Sequence, residues 1–472
     1  MSLDFEEFAD KAVLFSQESG CSYCDVRAES SIRDGISIEN GQIEYSNILR
    51  DTGIGIRILN DGAWGFYSLS SPKSVEDVKQ AVNNAIKNSH GARKNKINLG
   101  ESPSFEDSIS YPVAIKPDID EIIKIGMECD KRIQKNQNII KSQVSVAYKS
   151  ITKYFANTQG SKIKQSYTDV VCDLVATAHE SGLTQSVNIT EGGRGGIETI
   201  TKKQDVFEIA ESISNKANEL LYAKPAKEDK STIVMNPDFV GLLTHEILGH
   251  PSEADRVLGK EMAWAGGAWW AGKLGEKIGS EHLNVFDDPT IPDSLGHYKY
   301  DDEGILAKKT SLIEEGVLKG HFQNRETSKI FHVEPTANMR ATSYKFMPLI
   351  RMACTCIGPG DYNPDEIIKD VKDGYYVSNM KVPSIDMKRY NWSISAQYAQ
   401  KIENGELTEL LRDVIVMGVA PEFFKSINAC GNDFTVRPIT NCGKGDPMQS
   451  MIMGNGGPTI RGTATIKSVG AN

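Results

Sequence analysis

Hydrophobic positions along the first half of the chain switch between a helical and a strand period. Phe5, Phe8, Ala9, Ala12, Val13 and Phe15 fall at near-helical spacing, which predicts an opening helix over residues 4–17. Short β-type runs follow at 24–28, 35–39, 42–49, 53–59 and 62–68, separated by Asn40-Gly41, Asp51-Thr52-Gly53 and Asn60-Asp61-Gly62. Such Asn-Gly and Asp-Gly punctuation supplies the positive φ of tight turns, so antiparallel hairpins are expected. Ser74 or Ser71 is placed to cap a helix through Val75, Val78, Ala81, Val82 and Ala85 that ends at Gly91, and a second helix is expected over 118–134. Residues 142–200 form another β block, with turn signals at Asn157-Thr158-Gln159-Gly160 and Ser181-Gly182. A further helix over 206–222 carries Ile209, Ala210, Ile213, Ala217 and Leu220 on one stripe.

The stretch 224–230 is charged, contains Pro225 and lacks any period, so it reads as an interdomain linker. Beyond it a strand over 232–235 leads to Asn236, a helix cap, and Pro237, a favoured first helical residue. Strand-like runs at 283–286, 311–313, 317–322, 351–357 and 413–417, with one helix over 364–372, make the second half β-rich. The expected fold class is α+β with two domains: an N-terminal antiparallel sheet with helices over 1–223, the linker 224–230, and a β-rich C-terminal domain over 231–472.

Composition narrows the function. The 472 residues are 39% apolar and 8% aromatic, ample for real cores. Lys and Arg number 53 against 63 Asp and Glu, a net charge of −10, and no dense basic run could neutralise phosphates, so a nucleic-acid partner is not expected. The acidic start, Met1 to Glu7, does not resemble a signal peptide, and no apolar run reaches the length of a membrane span. A cytoplasmic location is expected. Eight scattered cysteines then read as reduced thiols. Cys21-Ser22-Tyr23-Cys24 has redox or half-zinc-site spacing but no second pair, so packing is the expected role; Cys354 and Cys356, two apart in a strand-like run, should share a face.

The chemistry concentrates at Thr244-His245-Glu246-Ile247-Leu248-Gly249-His250-Pro251-Ser252-Glu253. Neutral imidazoles hold zinc, and a carboxylate beside them can take a proton from a water whose pKa zinc lowers to about 7. The spacing is HExxxH. In an ideal helix, residues five apart point about 140° away from each other, against about 40° for residues four apart. A π-bulge would absorb the surplus residue, and Gly249 and Pro251 permit unusual backbone there. A helix through His245 followed by a bulged or broken turn at His250 is therefore expected.

A catalytic zinc has three protein ligands and one open position. For the third, Glu253, Asp255, His282, His297, His321, His332 and a cysteine thiolate all stand as candidates. Two other stretches draw notice. Glu191-Gly192-Gly193-Arg194-Gly195-Gly196 lacks the ending of a phosphate loop and reads either as a flexible hairpin tip or as bare backbone onto which an extended peptide adds a strand. Residues 262–270 hold three of the five tryptophans, Trp264, Trp269 and Trp270, which suit packing or a substrate groove.

The motif from Thr244 to Asp255 resembles the HExxxH motif of the TldD/PmbA family of zinc metallopeptidases, also called modulators of DNA gyrase. Similar stretches run along the chain: Ile38-Glu39-Asn40-Gly41, Gly53 to Arg57, Gly62 to Phe66, Asp287 to Pro292, Asp301 to Gly304, Arg351-Met352, Asn441-Cys442-Gly443-Lys444 and Gly454 to Thr459. The resemblance implies His245, His250 and Cys442 as ligands of one Zn2+ per catalytic chain and Glu246 as general base. It implies a TldD-type catalytic subunit, because partner subunits of the TldE/PmbA type usually lack the full ligand set. This chain departs from the family pattern in having Pro251-Ser252 where a Gly-containing stretch is usual. The implied activity is hydrolysis of unfolded or extended peptides in a closed chamber, the N-terminal domain supplying peptide channel and dimer contacts, with a homodimer or a heterodimer with a TldE/PmbA-type subunit. The competing reading is a non-catalytic peptide-binding or assembly subunit with a structural metal, which would need a fourth protein ligand.

Overall fold

The computed structural model describes residues 5–90, 96–261 and 267–468. Helix α1 (Phe5–Glu18) buries Phe8, Ala9 and Ala12, as its spacing predicts. Strands β1 (Tyr23–Glu39), β2 (Gln42–Asn60) and β3 (Ala63–Ser70) form two hairpins. Their turns place Asn40 and Gly41 at φ 50 and 80, and Asp61 and Gly62 at φ 53 and 79, the left-handed pairs that match strand twist.

Asp51-Thr52-Gly53 does not turn. β2 runs straight through it, paired with β1, and the five expected runs become three strands. Gly53 serves close approach instead: a Cβ there would lie 2.3 Å from the Tyr344 ring. Ser74, not Ser71, caps α2 (Val75–Ser89), with Asp77 completing a reciprocal capping box. The expected helix end at Gly91 lies outside the described residues.

β4 (Glu106–Ser110), α3 (Ile119–Ile133, capped by Asp118), β5 (Ile139–Asn157), β6 (Lys162–Glu180), β7 (Leu183–Arg194), α4 (Glu198–Thr201) and α5 (Val206–Leu220) complete the first half. Its seven-stranded sheet has the order β3-β2-β1-β5-β6-β4, with β7 pairing further along β6. All pairings are antiparallel except β4 with β6. α1 and α2 pack on Val26, Ile54, Ile56 and Ile58, while α3 and α5 cover Val144, Val170 and Leu174.

The stretch 224–230 is less a linker than a seam. Lys224–Pro225 pairs with Leu411 and Arg412, and Asp229 opens the strand Asp229–Met235, leaving residues 226–228 between two strands of one sheet. In that eight-stranded sheet the strands Asp373–Ile385, Asp229–Met235, Ile460–Ser468, Val414–Val419 and Asn391–Glu403 pair in turn, and the last pairs back on the first to close a ring. A second, six-stranded sheet ends with Cys354–Ile357, Gln449–Gly457 and the edge strand Thr435–Lys444. The second half is thus β-rich as expected, although the run at 317–322 forms a strand only at Val317–Leu318.

The two halves are tied by desolvated charges. Arg57 bonds both Asp25 and Glu303, the latter at 2.9 Å, and Lys153 meets Asp302 at 3.3 Å. The Tyr344 hydroxyl adds contacts to Ser70 at 2.7 Å and Asp51 at 2.8 Å. Removing one partner of such a pair strands a buried charge, so these contacts hold the halves in one orientation. Among the described residues no helix is long and apolar enough to cross a membrane.

Candidate metal centre

Helix α6 (Pro237–Thr244) begins where the Asn236 side chain accepts the Phe239 N–H and Pro237 fills the first turn. The backbone then widens. Residues His245–Gly249 form a π turn in which the His250 N–H donates to the His245 carbonyl, five residues back, and a 3-10 turn follows at His250–Ser252. This is the bulge the HExxxH spacing requires. Gly249 lets the widened turn sit on Met352, whose sulfur would lie 2.0 Å from a Cβ at this position. The two imidazoles end edge to face, their centroids 4.7 Å apart.

Cys442 reaches them from the edge strand Thr435–Lys444. The strand's register shifts between Ile439 and Cys442, a bulge that re-aims the side chain. Buried Arg351 donates to the Cys442 carbonyl and, at 3.0 Å, to that of Gln449. His245, His250 and Cys442 are all buried, with one donor atom from each lying within 4.8 Å of the others. His250 Nε2 is 3.6 Å from Cys442 Sγ. Tetrahedral zinc with Zn–N of about 2.0–2.1 Å and Zn–S of about 2.3 Å separates such donors by about 3.6 Å.

Both rings are held from behind. His245 Nδ1 bonds Asn455 Oδ1 at 3.0 Å, and His250 Nδ1 lies 3.4 Å from Glu253 Oε2. Nε2 of each ring is thereby left for a metal, an arrangement typical of zinc-bound histidine. Glu253 also accepts from Arg256 at 2.7 Å and pairs with buried Lys444 at 3.2 Å; Lys444 continues to Asp255. Burial alone would raise the Glu253 carboxyl, but Lys444, His250 and Arg256 hold it well below the ordinary carboxylate range. Burial likewise works against a charged His245 and a charged Cys442. Their mutual attraction prevails, lifting the imidazole to about 9 and holding the thiol well below its usual value. A divalent cation among these atoms would satisfy all three donors.

Glu246 points from the same π turn toward Arg389, whose guanidinium meets Glu246 Oε2 at 2.6 Å. The remaining ligand candidates lie elsewhere. Glu253 and Asp255 belong to the charge network behind His250, His282 packs near Tyr362, His297 against Tyr111, His321 against Phe331, and His332 ends the helix Arg325–Phe331. Among the described residues no other group of three such donors occurs. Cys21 and Cys24 are free thiols and belong to the core under α1 and α2.

The glycine-rich stretch is corrected by the structure. Gly192 and Gly193 pair with Val171 and Val170 at the end of β7, and the N–H groups of Arg194, Gly195 and Gly196 go to Asp293, Thr168 and Glu198. It is no hairpin tip. A Cβ at Gly193 would meet the Asp293 carbonyl at 2.5 Å and one at Gly196 the Ile115 carbonyl at 1.9 Å, so the glycines serve internal close packing. The Gly195 and Gly196 N–H groups are thereby bonded within the chain and are not available to an added peptide strand. Trp270 is also structural: it is fully buried and its Nε1 donates to the Pro251 carbonyl at 2.7 Å. Trp264 lies outside the described residues.

Sequence reasoning missed Asn455 and Arg389. Asn455 sits in a stretch noted only for resemblance, and Arg389 in a polar turn with no motif. A cavity of about 870 Å³ is not lined by the three donors; it runs from Tyr148, Lys153 and Tyr167 on the first sheet to Thr440, on the strand that carries Cys442, and Ile452, on the strand beside it.

Fold and site together describe a mixed helix-and-strand chain with a buried cluster of two histidines and one cysteine that could hold a metal ion. Residues 228–465 match the PmbA/TldA metallopeptidase C-terminal domain, residues 24–89 domain 1 and residues 113–221 the central domain of that family. The chain belongs to the PmbA/TldD metallopeptidase family. It is 32% identical to a metalloprotease of Methanothermobacter thermautotrophicus, over 95% of this chain and 96% of that one. It is 28% identical to a zinc metalloprotease TldD homolog of Saccharolobus solfataricus, over 96% and 97%. Its fold matches a putative modulator of DNA gyrase from Thermotoga maritima (TM-score 0.81, 19% identity, 98% and 100% coverage). It also matches TldE from Thermococcus kodakarensis (0.77, 20%, 98% and 100%).

Proposed function

We propose that this chain is a TldD-type zinc peptidase in which His245, His250 and Cys442 hold one zinc ion and Glu246 is the general base. The observation that carries this reading is the π turn: it points two imidazoles at a thiolate 192 residues downstream while leaving Glu246 beside them. Bound zinc would acidify a water at its open position and polarise a peptide carbonyl. That no fourth His, Cys, Asp or Glu donor joins the cluster among the described residues favours an open position over a closed structural site. Glu246 takes a proton from the attacking water and returns it to the leaving amine. Asn455 and Glu253 fix the ring orientations, so no side-chain reorganisation is needed during reaction. Unfolded or extended peptides suit a site carried in part by the edge strand Thr435–Lys444, where main-chain pairing is permissive about sequence. Replacing Glu246 by Gln should abolish peptide hydrolysis with zinc retained; wild-type cleavage by that variant would refute the assignment.

The partner we propose is a second chain of this family, either an identical copy or a TldE/PmbA-type subunit. β3 covers β2 only from Gly53 onward. The uncovered part of β2 exposes Ile43, Tyr45, Ile48 and Leu49, each between 46% and 58%, apolar surface beside a free strand edge of the kind that partners cover. Changing Tyr45 and Leu49 to serine should shift the dimer toward monomer in sedimentation; an unchanged dimer would exclude this surface.

A further inference from the structure

Arg389 lies in the turn between the strands Asp373–Ile385 and Asn391–Glu403, at φ 60, a left-handed conformation that glycine adopts freely and a residue with a side chain adopts at a cost. The turn is not loose. Asp386 accepts the N–H groups of Lys388, Tyr390 and Asn391; the Trp269 N–H donates to the Lys388 carbonyl at 3.0 Å, and the Tyr390 carbonyl accepts the Ala420 N–H at 2.8 Å. A strained residue in so determinate a turn implies a use for its side chain. That side chain is 15% exposed; one arm meets Glu246, while its buried Nε has no protein partner. The charges it feels include those of Glu246, Glu253 and Cys442, so it stands in the surroundings of the donor cluster.

We propose that Arg389 is a catalytic anion-binding residue whose guanidinium holds the peptide carbonyl oxygen as that oxygen becomes negative. The inference rests on the peptidase reading. The carboxylate that neutralises Arg389 in the resting protein is the one that receives the water's proton. As water attacks, its O–H bond breaks, its oxygen bonds to the carbonyl carbon, the proton passes to Glu246, and the C=O π pair moves onto oxygen. Glu246 is then neutral, and Arg389 has lost its counter-charge beside a new anion. When the π pair returns, the C–N bond breaks and Glu246 gives its proton to the amine, after which the Arg389–Glu246 pair reforms. Arg389 neither gains nor loses a proton. Its attraction for substrate is thus strongest in the transition state, where it raises kcat rather than lowering KM.

Arg389→Gly tests this, because glycine accepts φ 60 without strain and the turn should remain intact. In the zinc-loaded full chain the expected result is unchanged zinc content, a cooperative unfolding transition, and kcat reduced about 10²–10³-fold with little change in KM. Added guanidinium ion should restore part of the rate, and Arg389→Lys should retain more activity than Arg389→Gly. A phosphinic pseudopeptide, a tetrahedral anion in place of the cleaved bond, should bind Arg389→Gly more weakly by the same factor as the loss in kcat/KM. Unchanged kcat, a loss confined to KM, or unchanged phosphinic affinity would overturn the proposal. If the wild type holds zinc but cleaves no peptide, the peptidase reading fails separately and the phosphinic probe decides: weaker binding by the variant supports the anion site, while equal binding, or none by wild type, overturns it.

Discussion

The Asn455 side-chain oxygen lies 3.0 Å from His245 Nδ1, across 210 residues of sequence. Asn455 is fully buried, and its amide nitrogen is itself held by the Thr355 carbonyl at 3.1 Å. The ring of His245 is therefore fixed in direction, with Nδ1 toward Asn455, before any metal arrives.

Asn455→Ala should weaken zinc binding about 10–100-fold, the usual consequence of removing an outer partner of a metal-binding histidine. Competition with a calibrated chelator measures it. Affinity equal to wild type would mean that Asn455 does not orient the ring.

The His245–Cys442 pair sets a pH prediction. In the metal-free protein the imidazole is raised to about 9 while the thiol is lowered well below its ordinary value, so at neutral pH the proton resides on His245 and Cys442 is a thiolate. Zinc must displace that imidazole proton, so its apparent affinity should rise with pH and level off above about pH 9. Ultraviolet titration of the metal-free protein should register thiolate absorption at neutral pH that is missing from Cys442→Ser. A Cys442 that titrates like a free thiol would contradict the pairing.

The local backbone of the site was legible in the sequence. Asn236-Pro237 marked the helix start, and the extra residue between His245 and His250 demanded a widened turn, because two ligands with four residues between them do not share an ideal helical face. Turn chemistry at Asn40-Gly41, Asp61-Gly62 and Ser181-Gly182 was equally plain, since each pair adopts the positive φ its residue types favour. Gly53 and Gly193 misled for a common reason. A glycine kept for close approach of Tyr344 or of the Asp293 carbonyl looks, in sequence, like a glycine kept for a turn.

Sheet pairing across long separations was beyond local reading. Nothing in the residues around Cys442 says that their strand borders Gln449–Gly457 and so faces α6, and only family resemblance selected it among seven candidates. Arg389 left no pattern at all: its pairing with Glu246 is visible only once the turn and the helix are seen together.

The central claim is that one zinc is bound by two imidazoles and one thiolate with a position left open. X-ray absorption spectroscopy of the zinc-loaded chain tests it most directly. The account predicts one sulfur at about 2.3 Å, two imidazole nitrogens at about 2.0–2.1 Å and one light scatterer that exchanges with solvent. A shell without sulfur, or one closed by four protein donors, would contradict it.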